Sequence, residues 1–158
     1  MIVALLLQAT SPQPLPRDVW AAISSSASLA RKSQTVEFLR GGASADADDV
    51  ILRLISSGPG EAPKTMWTHS RACGGAAEAV RRLRSVPMPS PVYPGDPEEI
   101  VLDGVGYRVR FQAHYGSEMG LPVELSSNVG TPLARWVSET FAILKPCWSE
   151  LRPRQAGF

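Results

Sequence analysis

The sequence predicts an α+β fold: an antiparallel sheet packed on one side by two to three helices, with two βββα halves following an N-terminal helix. Three observations predict it. Six segments alternate or cluster in the manner of strands, against three with helical spacing of apolar residues. Twice, a strand pattern runs through a Gly-containing turn into a helix pattern, at Trp67-Thr68-His69-Ser70 to Gly74-Gly75 and at Leu125-Ser126-Ser127-Asn128 to Gly130-Thr131. Between the two copies lies a stretch with five prolines in eleven residues, 87–97, which excludes helix and acts as a connector. The halves, about 34–86 and 98–148, are nearly equal in length and share pattern rather than residue identity.

The elements follow in order. Residues 12–148 form a single globular domain. Pro16 to Arg31 reads as a helix, because Val19, Trp20, Ile23, Ala27 and Ala30 fall on one face, although Ser24-Ser25-Ser26 has mediocre helix propensity. Thr35 to Leu39 is a strand with Val36 and Phe38 on one face, followed by a loop from Gly41 to Asp49. Val50 to Ile55 is a second strand interrupted by Arg53, and Lys64 to Ser70 is a third. Ala76 to Ser85 is a short helix with Ala76, Val80 and Leu83 inward and Arg81, Arg82 and Arg84 outward. Glu99 to Leu102, an Asp103-Gly104 turn and the alternating run Tyr107 to Tyr115 read as a hairpin. Pro122 to Asn128 is the last strand. Thr131-Pro132 caps the last helix, whose buried stripe is Leu133, Val137, Thr140, Phe141 and Leu144 and which Pro146 stops. Residues 149–158 read as a polar, flexible tail.

The 158 residues are 44% hydrophobic and carry 16 basic and 15 acidic side chains. That is one domain's length, with a net charge of +1 and no field to attract nucleic acid or an acidic membrane surface. The bias of 13 Arg to 3 Lys follows genome composition as readily as function. No apolar run reaches the roughly 18 residues of a membrane span, so no stable span is expected. Residues 1–11 open with six apolar positions before a small, polar, proline-containing stretch. This reads as a signal segment, truncated because the basic n-region is missing. It points to a periplasmic or secreted bacterial protein, with a cytoplasmic one as the alternative.

The two cysteines, Cys73 and Cys147, suit one disulfide in an exported chain. They would meet if the second and last helices pack side by side and antiparallel. The rival reading is a cytosolic protein with a reactive Cys73 beside His69 at a helix N-terminus. Their spacing with the two histidines matches no zinc pattern, so no metal is expected, and no motif implies a cofactor.

The candidate binding residues are Trp67, His69, Arg108, Arg110 and His114, with Gln112 between and Glu37, Arg53, Arg71, Glu124, Ser126 and Asn128 nearby. Alternation puts them on a sheet face without helices, where an aromatic, arginines and histidines suit an anionic ligand or another protein. A solvated sheet of Arg–Glu pairs explains the same pattern. A small hydrolase can be assembled with His69 or His114 as base, Asp96 or Asp103 as orienter and Ser126 or Ser127 as nucleophile, but no nucleophile elbow supports it. The expectation is therefore a small exported protein that binds another protein or a cell-envelope component, of inhibitor or immunity type. Its oligomeric state is open.

Overall fold

The computed structural model describes residues 15–40, 49–91, 104–114 and 120–153. The apolar opening, the loop 41–48, the expected strand 99–102, Asp103 of the expected hairpin turn, residues 92–97 of the connector and the end of the tail from 154 lie outside the described residues.

Six strands form one sheet: β1 (Val19–Ala27), β2 (Lys32–Arg40), β3 (Val50–Ser57), β4 (Lys64–His69), β5 (Val105–Ala113) and β6 (Leu121–Ser127). Their order is β4-β3-β2-β1-β5-β6, and every neighbouring pair is antiparallel. Helix α1 (Gly74–Arg82) follows β4, and α2 (Pro132–Leu144) follows β6. The α+β class is as expected from sequence.

The N-terminal helix is not: residues 19–27 are a strand, and a central one. Its sequence misleads because its first half is covered on both sides, by the helix-side core on one and by a small apolar cluster on the other. Ala21, Ala22 and Ile23 are all buried, so the period-2 signal of a half-exposed strand is absent. The low helix propensity of Ser24-Ser25-Ser26 was the true signal. β1 gains its stability from pairing with β2 on one side and β5 on the other, partners that local spacing does not reveal. Arg31, with φ of 47°, sits in the left-handed region in the turn that returns the chain into β2. Beside β5, the described partners are β1 and β6, so β1 joins the two segments into one sheet.

Both helices cover one face. On it Ala21, Ile23, Val36, Phe38, Leu52 and Val109 are fully buried against Ala76, Ala79 and Val80 of α1 and Leu133, Trp136, Val137 and Leu144 of α2. α1 lies over β3 and β4, and α2 over β5, β1 and β6. The helices run antiparallel. At one end Cys73, the residue before α1, is bridged to Cys147, just beyond α2, with Cα atoms 5.8 Å apart. At the other end Arg82 reaches α2: its Nε donates to Thr140 Oγ1 at 3.1 Å, its Nη2 pairs with Glu139 at 2.8 Å, and its guanidinium lies over the Trp136 ring. Arg82 was expected outward. Its long stem instead lets it seal the helix pair. Thr131 caps α2, accepting from the Ala134 N–H at 3.1 Å, with Pro132 in the first turn.

After the bridge the chain turns back to the sheet. Ser149 and Trp67 exchange backbone hydrogen bonds of 2.7 and 2.9 Å, which extends the sheet at the β4 edge. Lys64 pairs with Glu150 at 3.2 Å, and the Arg152 guanidinium lies 4.9 Å from the Trp67 ring centroid. Ser149, Glu150 and Arg152 of the expected tail thus make contacts at the β4 edge. Among the described residues, no helix is long and apolar enough to cross a membrane.

Candidate binding face

The second face of the sheet carries no helix among the described residues, and its side chains follow from the register. One row crosses all six strands: Trp67, Arg53, Glu37, Ala22, Arg110 and Glu124. A second row is Thr65, Ile55, Thr35, Ser24, Arg108 and Ser126, and a third is Ser57, Ser33, Ser26 and Gly106. Period-2 alternation places each of these on the same side.

The face divides into two regions. Toward the start of β1, Val19, Ala22, Leu39 and Ile51 form a small apolar cluster with Leu15 and Trp67. Next to it, Glu37 is 8% exposed and accepts from Arg53 Nε at 2.6 Å, while the Arg53 guanidinium sits 5.6 Å from the Trp67 ring centroid. Both the Arg53 and the Arg152 guanidinium thus lie close to the Trp67 ring. Toward the end of β1, hydroxyls take over. Ser24, Ser26, Ser33, Thr35, Ser126 and Arg108 line a groove of about 550 Å³. Arg108 is exposed, and its Nε lies 3.2 Å from Glu124 Oε1.

The residues expected to bind share this face but not one location. Trp67 and His69 are on β4, and Arg108 and Arg110 are on β5, with β3, β2 and β1 between them. Four strand spacings separate the two groups by about 19 Å. His114 is exposed one residue past the end of β5.

His69 has a role of its own. Its Nε2 lies 2.8 Å from Asp49 Oδ1, and its Nδ1 accepts the Arg71 backbone N–H at 3.0 Å. Asp49 is nearly buried and also receives Arg71 Nη2 at 3.2 Å. A neutral imidazole with its proton on Nε2 satisfies both bonds. With its acceptor nitrogen occupied, His69 pins the end of β4 to the start of β3 and has no lone pair to offer a nucleophile. Cys73 is likewise committed to its disulfide. Among the described residues, no cluster of three His, Cys, Asp or Glu side chains is arranged to hold a metal ion.

Sequence reasoning missed the hydroxyl band. Ser24-Ser25-Ser26, Ser56-Ser57 and Ser126-Ser127 lie far apart in the chain, yet register gathers them with Ser33 at one end of the sheet. The serine doublets were visible signals, but only strand order shows that they converge. Comparison with protein-family models, with curated proteins and with solved structures finds no match to this chain.

Proposed function

We propose that this is an exported binding protein, of inhibitor or immunity type, that engages another protein or a cell-envelope component through the helix-free face of its sheet. The observation that carries the reading is the row Trp67, Arg53, Glu37, Ala22, Arg110 and Glu124, which continues into the Arg108 groove. A helix-free sheet surface that offers an aromatic ring and several arginines is the residue chemistry of an interface centre. The Cys73–Cys147 bridge supports an oxidising compartment, periplasmic or extracellular. The His69 form of the hydrolase reading has less support, because both ring nitrogens of His69 are engaged by Asp49 and the Arg71 backbone.

The test is affinity capture from envelope extract with the wild-type chain and with Arg108→Ala/Arg110→Ala, followed by rebuilding of the complex from purified partner. The double variant should weaken the rebuilt complex by about 30-fold, the equivalent of roughly 2 kcal/mol for truncating interface arginines. Equal capture and equal affinity with both forms would remove this face from the account.

A further inference from the structure

The helix-facing side of the sheet is not closed at its hydroxyl end. A cleft of about 630 Å³ lies there, between the sheet and α2. Its floor is one register row, Ser56, Gln34, Ser25 and Tyr107 on β3, β2, β1 and β5, and α2 contributes Ser138 and Phe141. The volume falls within the 300–1,000 Å³ of small-molecule sites.

The lining specifies the ligand chemistry. Serine and tyrosine hydroxyls and the Gln34 amide each both donate and accept, as the hydroxyls of a sugar require. Ser25 is about nine-tenths buried, at 9% exposure, and lines the cleft floor, so it is largely shielded from bulk water. The half-buried rings of Tyr107 and Phe141 supply apolar surface for the C–H face of a sugar ring. The charged lining residues, Lys32, Glu61 and Lys64, are exposed and of mixed sign, and Lys64 is already paired with Glu150 at 3.2 Å. No cluster of one sign converges on the cleft, which argues against an anionic ligand.

We propose that this cleft binds an uncharged saccharide of one or two rings. Its α2 wall lies on the opposite side of the sheet from Arg108 and Arg110, although the cleft shares Ser25, Ser33 and Tyr107 with the Arg108 groove. Ser138 on α2 belongs to the cleft alone, so its variant separates this proposal from the protein-binding reading.

The test is titration of the full-length, disulfide-bonded, isotope-labelled protein with cellobiose, with chitobiose and with pyrophosphate as an anionic control, followed by amide chemical shifts. Either disaccharide should shift the amides of Ser25, Gln34, Tyr107 and Ser138 with a Kd in the millimolar range or tighter. Ser138→Trp, at an exposed position of α2, should fill the cleft and weaken binding about tenfold or more with the remaining spectrum preserved. Gln34→Leu should weaken it in the same direction and serves if the tryptophan variant fails to fold. Arg108→Ala/Arg110→Ala should leave the titration unchanged. The proposal is overturned if neither sugar shifts these amides at about 20 mM, if the shifts survive both cleft variants, or if pyrophosphate moves the same amides more strongly than the sugars.

Discussion

Removing the Cys73–Cys147 bridge should lower stability by an amount that its place in the chain sets. The cysteines are 74 residues apart. For a loop of that length the chain-entropy relation gives about 4.4 kcal/mol at 25 °C. At roughly 2.1 cal/mol/K per residue, the unfolding entropy of a 158-residue chain is about 0.33 kcal/mol/K, so the loss corresponds to a Tm drop of roughly 13 °C. The assay is urea unfolding at 25 °C of the wild type, of the wild type in reductant, and of Cys73→Ala/Cys147→Ala. The two unbridged forms should agree, losing about 3–5 kcal/mol. Their m-values should rise, because an unbridged denatured chain exposes more surface. The structure adds a local expectation. Ser149 and Trp67 exchange backbone hydrogen bonds two residues beyond Cys147, so their amides should lose hydrogen-exchange protection before the rest of the sheet. A difference below about 1 kcal/mol between bridged and unbridged forms would refute the reasoning, since a closed loop of this length cannot contribute so little unless the reduced chain already holds its ends together.

Three further outcomes follow from particular contacts. Gly75→Ala should cost about 1–3 kcal/mol in urea unfolding, because a Cβ there would collide with the Ile143 carbonyl oxygen and lie 3.0 Å from Cys147 Sγ. A neutral result would mean that α1 and α2 are not so closely packed. Glu37→Ala should cost roughly 2–4 kcal/mol by stranding the half-buried Arg53, and Glu37→Ala/Arg53→Met should recover part of it; failure of the double variant to recover stability would show that the pair does not act as a unit. Thr131→Ala should cost about 1 kcal/mol through loss of the α2 cap, read from the same unfolding curves, with Thr131→Ser close to wild type.

How much of this was legible in the sequence depends on where each element finds its partners. Thr131-Pro132 announced the start of α2 because a cap is a local hydrogen bond. The antiparallel helix pair was suggested by the cysteines, since thiols at the start of one helix and the end of the other meet when the two pack side by side and antiparallel. β1 was misread because its β5 partner is distant in the chain and because burial of Ala21, Ala22 and Ile23 together erased the alternation that marks a strand. The open face was legible as parity along β5, but parity does not give distance. Only the strand order shows that three strands separate Trp67 from Arg110. Arg53 looked like an interruption of its strand, yet the register places it directly opposite both Glu37 and Trp67.

The central claim is that the helix-free face meets a partner, and crosslinking inside the cell tests it most directly. A photoreactive phenylalanine analogue at Ser126, exposed on that face, should give a discrete higher-mass adduct on illumination. The same residue at Glu139, exposed on α2, should give none. Adducts from Glu139 with none from Ser126 would contradict the account.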